Sequence, residues 1–344
     1  FLMAFMLVVL PTLFKGATLP VLTRFLFDRK EKAGVNLSTL YAVNTFGAVA
    51  GVLLTGFFLI GHYGIHVPVY LALAGNLIIG MIAWIASGRM NQPFESDVTI
   101  TPDSENGRQT IDTPTDTASL RLILFGLCLS GFTSFAYEIY WTRSLVFILG
   151  NSTYALTTML SSFLTGIAIG GYVIRYLLRR VSDATVIFGW VQVLLGITSA
   201  MALPFMFSIS DPQSLSQYVL ESSVGIAPLV FSGFGLTFLV MLVPAMLIGM
   251  TFPLAGQIGI NNPEKTGSST GKIYAINTLG NVLGALLPGF FLLNWLGIQK
   301  GILLMASLNA LLGFTILFLR LAPRGRHPAW RVIVASSLVL TVYI

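Results

Sequence analysis

The sequence predicts an all-α polytopic membrane protein made of two parallel-related six-helix repeats, the first truncated to three helices. Three observations lead there. Hydrophobic residues make up 55% of the 344 and charged residues only 9%, with a mean hydropathy of +0.84. A soluble domain carries about 25% charged residues, so a water-facing surface of ordinary size could not be covered. The few charges are also widely spaced: no Asp, Glu, Lys or Arg occurs over 33–88, 144–174, 184–210, 222–263 or 273–299. Finally, the chain matches itself at a fixed offset.

A bilayer-spanning helix needs about 20 mostly apolar residues. Spans are expected near 1–23, 38–60, 66–88, 119–142, 151–176, 184–208, 226–253, 272–294, 300–320 and 330–344. The first is already under way at Phe1, with neither the basic leader nor the cleavage site of a signal peptide. The last is still apolar at Ile344, so both ends read as cut from a longer chain. Residues 89–118, rich in Pro, Ser, Thr, Asp and Glu, cannot build a core and read as a flexible linker. The expected domains are therefore 1–88 (the last three helices of repeat one), 89–118 (linker), 119–322 (repeat two) and 323–344 (the start of a further transmembrane helix).

Orientation follows from the basic residues. With alternating spans, 16 of the 19 lie in one set of loops, against Arg143 and Lys300 in the other, while Lys15 sits inside a span. Positive loops face the cytoplasm, which places the 89–118 linker inside the cell. The same clustering explains the formal charge of +6 without a nucleic-acid partner. The single cysteine, Cys128, excludes an internal disulfide.

Self-comparison is the most informative reading. PTLFKGATLP from Pro11 answers PAMLIGMTFP from Pro244. YAVNTFGAVAGVLLTGFFLIGHYGI from Tyr41 answers YAINTLGNVLGALLPGFFLLNWLGI from Tyr274, with 15 of 25 positions identical. Both pairs share an offset of 233 residues. Six spans separate equivalent residues, so the copies run the same way through the membrane, the relation between the halves of major-facilitator transporters. Phe1 answers residue 234 and copy two opens near Ser119, so copy one is short by about 115 residues.

Glycines at Gly47, Gly51 and Gly56 are answered by Gly280, Gly284 and Gly289, and Gly166 and Gly170 repeat the spacing elsewhere. GxxxG lets helix backbones approach closely in lipid. These glycines serve tight packing, or else line a substrate path. Asn44 and Asn277, at equivalent positions, are interhelical hydrogen-bond formers or ligands. Thr158, Ser162 and Thr165 share a face, for packing or for a pore lining.

Ionisable groups within a membrane are costly and are functional candidates. Three qualify: Lys15, Glu138 and Arg143. Glu138 lies among Tyr137, Tyr140 and Trp141, types that favour the membrane interface, so its segment is expected at the outer boundary. Glu138 and Arg143 are about 140° apart around a helix, so each is expected to meet a partner on another helix, as an ion pair or as part of a substrate or proton site. Lys15 answers Ile248, leaving a charge in one copy only. No metal site is read at His62 and His66, which lack Cys, Asp or Glu nearby, and Asn151-Ser152-Thr153 is formally a glycosylation sequon. No catalytic motif and no cofactor-binding motif is legible.

AYEIYWTRSL, GNSTYALTTMLSSFLTGIAIGG and the paired PxxxxGxTxP and YAxNTxGxVxGxLLxGFFL blocks resemble, in this order, the membrane part of bacterial fused major-facilitator/spermidine synthases. The resemblance covers nearly the whole chain apart from the linker. It implies a transporter-like module of the bacterial inner (plasma) membrane, associated with a cytoplasmic Rossmann-like, spermidine-synthase-like domain that these residues do not include. Any aminopropyltransferase-like activity would reside in that domain. A small cationic metabolite is the implied cargo. The alternative is a non-transporting anchor or scaffold packed against other membrane subunits.

Overall fold

The computed structural model describes residues 2–26, 33–89, 117–149, 153–180, 183–210, 226–260 and 266–321. Most of the 89–118 linker, the expected span at 330–344 and Asn151 and Ser152 of the sequon lie outside the described residues.

Every described element is helical. The order is α1 (Leu2–Leu26), α2 (Ala33–Leu53), a π-helical stretch (Leu54–Leu59), α3 (Ile60–Tyr63), α4 (His66–Arg89), α5 (Thr117–Leu149), α6 (Thr153–Arg180), α7 (Ala184–Ser210), α8 (Ile226–Gly259), α9 (Thr266–Leu287), a second π-helical stretch (Pro288–Leu292) and α10 (Leu293–Leu321). Among the described residues, seven helical segments are long and apolar enough to cross a membrane. Several helices outrun their expected spans; α2 starts at Ala33 rather than 38, and α5 runs to Leu149 rather than 142. Hydropathy marks the apolar length, whereas the backbone stays helical until something stops it.

The segment Gly267–Arg320 has 54 residues. Continuous helix of that length would reach about 80 Å, against a hydrocarbon core of about 30 Å. The helix breaks instead at Gly297, with φ 69°. Gly64 breaks the α2–α4 run in the same way, with φ 73°. Only glycine adopts such a backbone cheaply. The two glycines stand 233 residues apart, and the two π-helical stretches overlap at that offset, so the duplicated sequence makes the same local structure twice.

Packing is closest where side chains vanish. On α6, a methyl group at Gly170 would strike the Met246 backbone and one at Gly166 the Ala245 side chain, both on α8; one at Gly249 of α8 would strike the Ile167 backbone on α6. Pro244 and Pro253 lie inside α8, where a membrane helix tolerates proline because the groups around it can satisfy the freed carbonyls. On α9, Gly280 and Gly284 meet the Cys128 and Phe132 carbonyls of α5, Gly56 meets Thr157 of α6, and Gly289 lies within ordinary contact of Ile139. Among the described residues, nothing approaches within 4 Å of a methyl group at Gly47 or Gly51.

Helix α5 is the central strut, packed by α9, α10 and α8, while α6 is held between α2 and α8, and α7 packs on α10 and α8. Two buried clusters result, one around Phe188, Phe252 and Leu127 and one around Trp141, Tyr137 and Met241. Helix α4 stands apart, with none of its apolar window buried.

Candidate functional site

A cavity of about 240 Å³ opens between α2, α5, α6, α8 and α9. From α5 come Ser130, Ser134 and Glu138, spaced by four so that one helix face presents all three. From α9 come Asn277 and Asn281, again four apart. Gly131 makes this approach possible: a side chain there would run into the Asn277 carbonyl and the Asn281 amide. Tyr41 of α2 and Thr251 of α8 add hydroxyls. The remaining wall is apolar, with Phe163, Leu164 and Ile167 from α6 and Ile248 and Phe252 from α8.

Among the described residues Glu138 is the one carboxylic acid lining the cavity, and no described Lys, Arg or His lines the space. Among the described residues Glu138 has no ion-pair partner. Ser130 Oγ is buried with no hydrogen-bond partner among the described residues. A carboxylic acid, a buried hydroxyl and two amides thus line one polar void inside an apolar bundle. No protein-family model, curated protein or solved structure matches this chain.

Of the residues singled out from sequence, the structure brings together Glu138 and Asn277. Arg143, Lys15 and Asn44 are exposed and away from the cavity. The aromatic residues beside Glu138 turn inward: Tyr137, Tyr140 and Trp141 are fully buried, not set at the bundle's surface. Tyr137 stacks on Trp141 with centroids 5.2 Å apart. Behind the cavity, Thr133 donates to Asn309 Oδ1 at 3.0 Å and Asn309 Nδ2 donates to the Tyr137 hydroxyl at 3.1 Å, tying α5 to α10. Thr158 and Ser162 are buried and donate to carbonyls of their own helix, Tyr154 at 2.9 Å and Thr158 at 2.6 Å. His62 donates to the Phe58 carbonyl at 2.8 Å.

Sequence reading missed Ser130, Ser134, Asn281, Thr251 and Tyr41. The first two carried a signal, since they fall four and eight residues before Glu138. Asn281 carried one as well, because its equivalent in copy one is Ala48. Tyr41 and Thr251 had none: only the folding of α2 and α8 against α5 brings them in.

Proposed function

We propose that the chain is the transporter-like membrane module of a major-facilitator-like protein, its cavity accepting a small cationic metabolite. The observation that carries this reading is the lone Glu138 carboxylate facing a polar void without a protein cation. A cationic ligand supplies the missing counter-charge. The Asn277 and Asn281 amides and the Ser130 and Ser134 hydroxyls would orient its donors, and Phe163 and Phe252 supply aromatic wall to the space. The void falls below the roughly 300–1,000 Å³ usual for drug-sized ligands, which suits a small amine. The duplication, the parallel orientation of its copies and the sequence resemblance support a membrane half-repeat architecture in the bacterial inner membrane, with the 89–118 linker cytoplasmic and a spermidine-synthase-like domain as partner. The bare surface of α4 favours a second reading, a scaffold packed against other membrane subunits.

The test is binding and flux of a labelled polyamine in proteoliposomes. Glu138→Gln is expected to abolish both while leaving the melting midpoint in detergent nearly unchanged, because no protein cation is left unpaired. Retained flux in that variant, or none in the unaltered protein, overturns the reading. A collapse in stability would assign Glu138 to structure instead.

A further inference from the structure

Copy two of the repeat shows what covers α9 and α10, and among the described residues the same positions of copy one are bare. In copy two, Gly280 and Gly284 lie against the Cys128 and Phe132 carbonyls of α5. Asn277 meets Gly131 of the same helix, and Asn309, fully buried, bonds its Thr133 and Tyr137. One helix, α5, thus covers four positions spread over α9 and α10. Their equivalents at the 233-residue offset are Asn44, Gly47, Gly51 and Asn76. All four are exposed, and no described residue lies within 4 Å of a methyl group placed at Gly47 or Gly51. Neither Asn44 nor Asn76 has a hydrogen-bond partner among the described residues. Gly80 repeats the contrast: its equivalent Gly313 meets Gly189 and Val193 of α7, while Gly80 meets none of the described residues.

We propose that the bare faces of α2 and α4 are the seat of one further membrane helix built like α5, with a small residue followed two and six positions later by hydroxyl side chains. Those are the spacings of Gly131, Thr133 and Tyr137. The small residue lets the helix close on Gly47 and Gly51. The hydroxyls hold the Asn76 amide, as Thr133 and Tyr137 hold Asn309. Lipid is the poorer occupant, because hydrocarbon offers an amide no hydrogen bond and leaving it unpaired costs free energy. A second copy of these residues is also poorer, because its own α5 is already packed between α9 and α10. The inference rests on the repeat and not on transport, so it stands or falls independently of the cavity.

The test places a photo-cross-linking amino acid at one position at a time in the native membrane: Ala48 and Leu73 beside the proposed seat, Ile78 and Ile82 on the opposite face of α4. The first two are expected to cross-link to a peptide carrying the small–x–hydroxyl–xxx–hydroxyl pattern, the last two to lipid alone. Lipid adducts at all four positions, adducts to a second copy of the described residues, or a captured peptide without that pattern would overturn the proposal. Asn76→Leu provides an independent sign. A seated helix loses its amide contacts, so the melting midpoint in native-membrane nanodiscs falls by at least about 2 °C. A lipid-facing residue gains from the change, and an unchanged or raised midpoint counts against the seat.

Discussion

Ser130, Ser134 and Glu138 show how much of a membrane site one helix can write by itself. A spacing of four puts three polar groups on one face of α5 whatever surrounds it, a signal the sequence holds although Ser130 and Ser134 were not singled out from it. What it faced was not. The space exists because Gly131 lets α9 bring Asn277 and Asn281 close. Glycines are decisive at this scale in proportion to what stands opposite them. Gly170→Leu would drive a side chain into the Met246 backbone, and such overpacking costs about 1–3 kcal/mol; a lowered thermal midpoint in detergent checks it. Gly271→Ala is expected to go the other way. No described residue lies within 4 Å of a methyl group there and the position is helical, so reduced freedom of the unfolded chain should stabilise by about 0.4–1 kcal/mol.

Helices here are set by how they stop and where they are tied. Gly297 turns a 54-residue apolar run into two arms. Gly297→Ala is expected to cost about 1–2 kcal/mol, because a Cβ disfavours positive φ, and Gly64→Ala should behave alike; unfolding by denaturant reads both. At the opposite end of α10, Arg320 donates from Nε to Asp183 Oδ2 at 2.8 Å. Asp183 also accepts from the Thr185 and Val186 N–H groups that open α7. Partial burial acts to raise this carboxyl, but the arginine and the two backbone donors outweigh it and hold it below the usual carboxylate range. Its contribution is therefore fully present above the unfolded value, about 3.9, and is lost as pH falls through the lower folded value. Both partners are substantially exposed, so the effect stays within about 1 kcal/mol. Asp183→Asn should lower the melting midpoint slightly at pH 6, and the difference from the unaltered protein should shrink below about pH 4. An equal difference at both pH values would exclude the pair as its source.

At the scale of the molecule, the distribution of basic residues makes a prediction of its own. The 89–118 linker should be cut by protease added to inside-out vesicles and protected in right-side-out ones; the reverse pattern would invert the topology. The sequence by itself determined that the chain is apolar enough to live in a membrane, and that two parts of it are copies. Those properties are local, written in hydropathy and in identities at one offset. It could not say which helix lies beside which. The inward turn of Tyr137, Tyr140 and Trp141, the cavity at Glu138 and the bareness of Gly47 against the burial of Gly280 were decided by tertiary packing. Equivalent sequences in the two copies have the same propensities, and only the neighbours available to each differ.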